Sequence, residues 1–166
     1  MKDNFWYTKF CRNFNDALVE LLTYETPLSE EWFLRRISYI FKYKTVSPKI
    51  RTIFDCYKNQ ARSKGVIFSN GFMTLTNGKP IEFRVSNPIN LRKFEYVSCE
   101  ELSKGLLKLI KINIKAEKEG IYGLLLKELD VLRITDSVFK RLDEALKLIR
   151  NNVEVDGNFL VYKKDN

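Results

Sequence analysis

The 166-residue sequence contains no histidine. That removes the commonest general base, the commonest zinc ligand and the usual partner of a catalytic serine or cysteine. Glycine is scarce too: seven residues, scattered and mostly marking corners, so none builds a phosphate-cradling loop. The three cysteines, Cys11, Cys56 and Cys99, are odd in number and show no CxxC spacing. They read as reduced thiols rather than a disulfide frame or a zinc site. Cys56 lies beside the apolar stripe of its helix and reads as buried and inert. No apolar run approaches the roughly eighteen residues a membrane span needs, and the charged start MKDNFWYTK is no signal peptide. These absences together predict a cytoplasmic protein that is not an enzyme, holds no cofactor or metal and has no membrane partner.

The residues present are those of a folded chain. The apolar fraction is 45%, with twelve Phe, eight Tyr and two Trp, enough to bury a core. The net charge is +8, and residues 26–64 hold most of it, nine basic side chains against three acidic. An acidic partner would be steered to that stretch.

Along residues 10–23, Phe10, Phe14, Leu18 and Leu21 recur at helical spacing, with Phe5-Trp6-Tyr7 expected to pack onto that helix. Thr26-Pro27-Leu28-Ser29 breaks the chain, and Ser29 can cap a helix that carries Glu30 and Glu31 in its first turn. That helix runs to about Phe41 and buries Phe33, Ile37 and either Ile40 or Phe41. Ser47 caps a third helix with Pro48 at its first position and Ile50, Ile53, Phe54, Tyr57 and Ala61 on its apolar face. A hairpin follows, Val66–Phe68 and Phe72–Leu75 around Asn70-Gly71. Asn77-Gly78 suggests a further strand through Pro80–Val85, and RKFEYVS reads as another. Ser98-Cys99-Glu100-Glu101 resembles a capping box for a helix burying Leu102, Leu106, Leu109, Ile110 and Ile114. A helix near 120–130 comes next, then one capped by Thr135 or Asp136 over Val138, Leu142, Ala145, Leu146 and Ile149. NNVEVDGNFLVY closes the chain as a second hairpin.

The order of three helices and a hairpin therefore occurs twice, about 87–88 residues apart, with Ile50 answering to Val138, Phe54 to Leu142 and Phe72 to Phe159. This predicts a mostly α protein with small β-hairpins (α+β), built from duplicated winged-helix units. The expected division is an N-terminal helix over 1–25, a first unit over 26–85, a linking strand over 86–98 and a second unit over 99–166. Phe72 and Phe159 are expected to face their own helices.

The run TPLSEEWFLRRISYIFKYKTVSPKIR, GF at 71–72, FRV at 83–85, LRKFEYVSCEEL at 91–102 and the second unit resemble one family. It is the domain of unknown function that closes large superfamily I helicase-like proteins, following a Vsr-like endonuclease domain. The resemblance covers roughly residues 18–162 and aligns Pro27, Arg35-Arg36, Arg51, Phe72, Arg84 and Arg92. The motor and nuclease of that family are missing, and Val131-Leu132-Arg133 stands where its second unit usually has a glycine. The resemblance implies an accessory module rather than a catalyst.

Candidate nucleic-acid-binding residues are Arg35, Arg36, Lys44, Lys49, Arg51, Lys58, Arg62 and Lys64, on or near the third helix and off its apolar stripe. A winged helix lays this element in the major groove, where such side chains meet phosphates and guanine edges. DNA is the expected partner ahead of RNA. The competing reading is a protein-docking module for a helicase or endonuclease partner, and Arg36 has the alternative of pairing with an acid to brace the fold. Lys104, Lys108, Lys111, Lys115 and Lys118 read as the solvated back of one amphipathic helix. Asp55 with Glu82-Phe83-Arg84 falls short of a metal-nuclease motif, because its lysine is missing. Glu30-Glu31 and Glu100-Glu101 read as helix-start acids.

Overall fold

No proline or glycine interrupts residues 3–24, so nothing stops a helix before Thr26-Pro27. The first helix, α1, accordingly spans Asp3–Tyr24. Phe5, Trp6 and Tyr7 lie within its span, and their expected packing falls outside the described side chains. The computed structural model describes the backbone of residues 3–40, 42–86 and 92–163, and the side chains among them from Phe14 onward, Ile40 excepted. The expectations for Phe10, Cys11, Ile40, Phe41 and residues 87–91 fall outside those descriptions. Among the described side chains of α1, the buried apolar ones are Phe14, Leu18 and Leu22, with Asn15 buried beside them; Leu21 is half-buried.

Helix α2, Glu30–Ile40, starts as the caps predict, with the Trp32 N–H donating to Ser29 Oγ at 3.3 Å. It buries Phe33 and Leu34. It closes on two backbone bonds, Lys42 N–H to the Tyr39 carbonyl and Tyr43 N–H to the Ser38 carbonyl, both 2.9 Å. Lys42 sits at φ 61, the left-handed residue that this closure requires. Helix α3, Pro48–Ser63, has Ser47 as its N-cap, accepting from Ile50 N–H, and buries Phe54 and Ala61. Cys56 is exposed, correcting the expectation that it is buried: the apolar stripe passes through Phe54 and Tyr57 and leaves position 56 facing water.

Strands β2 (Val66–Ser69) and β3 (Phe72–Leu75) pair around Asn70 and Gly71, at φ 49 and 77, the two positive values a tight hairpin loop needs. The third strand of this sheet is β1, Leu28–Ser29, pairing with Met73 and Phe72 in the order β1-β3-β2. No strand forms through Pro80–Val85. The free edge of β3 is already taken by β1, and Pro80 has no N–H to offer a ladder.

The chain divides into two compact units, Met1–Pro80 and Ile81–Asn166. In the second, α4 spans Cys99–Asn113, β4 Lys115–Glu117, α5 Lys118–Glu128, α6 Asp136–Lys147, β5 Val153–Asp156 and β6 Phe159–Tyr162, with sheet order β4-β6-β5. Ser98 caps α4 through Glu101 N–H and Thr135 caps α6 through Val138 N–H. Ile114 terminates α4 at φ 60 and is exposed, so it leaves the apolar stripe assigned to it. Among the described residues the architecture is mixed α+β, six α-helices with two small antiparallel sheets. Each unit reads helix–strand–helix–helix–strand–strand, with its first strand paired to its last. From the first strand of each unit onward, the corresponding elements begin 87–88 residues apart.

The expected linking strand is not present among residues 92–98, where Phe94–Tyr96 form a 3₁₀ turn. Backbone acceptors here bond a side chain instead of a strand: Arg141 donates to the Phe94 carbonyl at 2.9 Å and to the Val97 carbonyl. Arg92 turns inward to the fully buried Glu101, which also receives Arg84. Phe83 lies against Gly105, where a Cβ would meet its ring at 2.7 Å. Phe83, Arg84 and Arg92 are thereby held on α4, and residues 94–97 on α6 through Arg141.

The cores differ in substance. The first unit gathers Phe14, Phe33 and Phe54 around Leu18, Leu22 and Met73, while the second is Leu- and Ile-rich around Tyr122. Phe72 and Phe159 do occupy equivalent strand positions, but Met73 and Leu160 are the fully buried hairpin residues. Alternation along a strand puts the neighbours of those two positions on the core face.

Candidate nucleic-acid interface

The eight cations expected to form one basic face are separated into two settings by α2 and α3. Arg35, Arg36, Lys44 and Arg51 line an open groove of about 790 Å³ formed by α2, the corner after it and the start of α3. Trp32, Tyr39 and Tyr43 line it as well. Lys49 is exposed in the first turn of α3, outside that lining. Lys58, Arg62 and Lys64 point elsewhere.

Many of these charges are already answered within the unit. Glu31 accepts from Arg35 at 3.0 Å and from Arg51 at 2.7 Å. Partial burial alone would raise the Glu31 carboxyl, but hydrogen bonds from Arg51 and Arg35 hold it below its usual value. Arg36 pairs with Glu25 at 2.6 Å, the bracing alternative. Lys64 pairs with Asp16 on α1. Lys58 pairs with Glu30 at 2.6 Å and Asp55 at 3.1 Å, and lies over the Phe54 and Phe68 rings. Partial burial would push its ammonium down, yet those hydrogen bonds outweigh burial and hold it above the ordinary lysine value. Lys58 therefore does not project to solvent, and a simple reading of α3 as a freely exposed basic face is corrected. Arg62 donates to Asn59 at 2.8 Å and stacks over Phe68. Lys44, Lys49 and Arg62 are the three members with no ion-pair partner among the described residues, and of these Arg62 is held by Asn59 and Phe68.

The partners span 3 to 48 positions of sequence, Lys58 to Asp55 and Arg62 to Asn59 at one extreme and Lys64 to Asp16 at the other. Only the pairs three or four residues apart are visible as helical spacings. The aromatic contribution of Tyr39 and Tyr43 was also missed, though Tyr39 stands just before the basic run FKYK and Tyr43 within it.

The lysine stripe of the second unit does not occupy one helix. Lys104, Lys108 and Lys111 are exposed on α4, but Lys115 lies in β4, paired with Asp156 at 2.9 Å. Lys118 begins α5, paired with Asp143 at 2.7 Å, which also accepts the Tyr122 hydroxyl at 2.6 Å. Arg84 and Arg92 converge on Glu101. Burial by itself would raise the Glu101 carboxyl, but hydrogen bonds and charge from Arg92 and Arg84 hold it below the usual range. Among the described residues no cluster of three or more Cys, Asp or Glu could hold a metal ion, and no helix is long and apolar enough to cross a membrane. Asp55 pairs with Lys58, and Arg84 with Glu101 rather than with Glu82. No family model matches the chain, and no curated protein or solved structure does either.

Proposed function

We propose that the chain is a non-catalytic nucleic-acid-binding module, for DNA ahead of RNA, built from a duplicated winged helix and serving a helicase- or nuclease-type system. The shared element order and the β1-β3-β2 pairing of the first unit support the winged-helix reading, with α3 in the position of the groove-reading helix. The resemblance of 26–51 and 83–102 to the helicase-associated domain supports the setting. The observation that carries the binding role is the cationic groove. Lys44 and Lys49 are exposed and unpaired, and the Arg35 and Arg51 side chains remain 50% exposed beside them. Contact narrows to these four, while Arg36, Lys58 and Lys64 brace the unit.

Fluorescence anisotropy with a short duplex, a single strand and an RNA hairpin at two salt concentrations tests this reading. Changing Lys44 and Lys49 together to Glu should weaken binding more than tenfold. Each lost phosphate contact should lower the slope of log affinity against log salt by roughly one unit. Lys108→Glu should do much less. Binding no tighter than the micromolar level of any basic protein would overturn the proposal. The purified chain is also expected neither to hydrolyse ATP nor to cut DNA in magnesium or manganese.

A second reading, docking onto a helicase or nuclease partner, is favoured by one feature of the second unit. Leu132 is 95% exposed, and Ile112, Leu148 and Val155 are exposed too. Salt-insensitive association with such a partner would support it.

A further inference from the structure

The groove of the first unit is built for more than a phosphate backbone. Tyr39 and Tyr43 present rings that are 82% and 57% exposed, an unusual cost for two large side chains with apolar faces. The backbone closure at the end of α2 returns Tyr43 to Ser38, so both rings border the same space. Glu31 draws Arg35 and Arg51 to one carboxylate, so two guanidinium groups already converge on an anion, with Lys44 lining the same groove. Ser38 also lines it. That residue is 2% exposed, and its Oγ has no hydrogen-bond partner among the described residues. An orphaned buried hydroxyl costs free energy that an incoming polar group would recover.

Converging cations, open rings and an unmet hydroxyl match one chemistry. Cations take a phosphate, an aromatic ring takes a base face, and a hydroxyl meets a sugar or base edge. A duplex keeps its bases stacked inside and cannot offer a free face. We propose that this groove takes an unpaired nucleotide of DNA, its base stacked on Tyr39 or Tyr43 and its phosphate held by Arg35, Lys44 and Arg51. The module would then favour junctions and single-stranded ends over continuous duplex. This inference rests on the nucleic-acid reading above and sharpens its substrate.

The test measures affinity by anisotropy for a blunt duplex, the same duplex with a short single-stranded overhang, and an acidic peptide of equal charge. The overhang is expected to bind about tenfold or more tightly than the blunt duplex, the order of one stacked base. The double variant Tyr39→Ala/Tyr43→Ala should lose that increment while binding blunt duplex as before, and Tyr39→Phe/Tyr43→Phe should keep it. Both tyrosines are exposed, so the variants should retain their far-ultraviolet circular dichroism. Equal affinity for blunt and overhanging duplex would overturn the inference and leave the proposed function standing. Capture of the acidic peptide alone, or of nothing, would overturn both.

Discussion

The first unit places Arg35, Tyr39, Tyr43, Lys44 and Arg51 around its groove. At the matching positions of the second unit, about 88 residues on, stand Gly123, Lys127, Val131, Leu132 and Phe139. The backbone there is the same. Asp130 takes φ 56 where Lys42 takes 61, and Val131 N–H returns to the Leu126 carbonyl as Tyr43 N–H returns to Ser38. The helices that follow diverge as well. α3 carries Lys49, Arg51, Lys58 and Arg62 against Asp55 alone, whereas α6 balances Lys140, Arg141 and Lys147 with Asp136, Asp143 and Glu144. The same element order thus supports a cationic, aromatic corner in the first unit and an apolar corner in the second. The cores follow suit. Aromatic rings in the first lie edge-on to one another, with Phe14 5.3 Å from Phe33, and Phe54 and Phe68 also serve as platforms for Lys58.

The largest test of that contrast targets a device read only in the second unit. Glu101→Ala would leave Arg92 buried without its carboxylate and should cost about 3–5 kcal/mol in chemical denaturation. Because its folded pKa is depressed, Glu101 contributes stability that is present above the ordinary carboxylate range. That stability is lost as pH falls from about 4.5 through the lower folded value. Glu101→Gln should flatten this acid limb, and an unchanged acid transition would count against the buried triad.

Next come the hairpins. Met73→Ala and Leu160→Ala should each cost about 2–5 kcal/mol, and Phe159→Ala, on the outer face, under about 1 kcal/mol. Equal costs at Phe159 and Leu160 would restore the register expected from sequence. Smaller in free energy is a transplant of the second corner into the first. Tyr43→Val with Lys44→Leu should weaken DNA binding about tenfold, roughly 1.4 kcal/mol, at unchanged thermal stability. The least effect is backbone relief. Lys42→Gly and Asp130→Gly remove a left-handed side chain at each closure and should each stabilise by about 0.5–1 kcal/mol.

Much of the element order was legible, because four of the six helices among the described residues announce themselves through a cap and a period. Ser29, Ser47, Ser98 and Thr135 all cap as their sequence context requires. Both hairpins follow from glycine corners. The short strands β1 and β4 were not legible, since two or three residues are too few to show alternation. Residues 92–98 misled because an alternating apolar pattern does not reveal that Arg141, more than forty positions away, claims their carbonyls. Of the site, the cations were legible by type and the groove was not. Whether a lysine is free or answered depends on acids such as Asp16 and Glu30 that only the fold brings near. Glu101 shows the same limit: a helix-start acid by position, and the buried centre of a triad by packing.

The closure after α2 is made by main-chain bonds. Residues 43–45 are exposed and can consequently change identity at little energetic penalty, as the sequence of the second unit at 131–133 illustrates. Such a corner is a tolerant site in the mutational sense, where new recognition chemistry can be sampled by drift before selection acts on it.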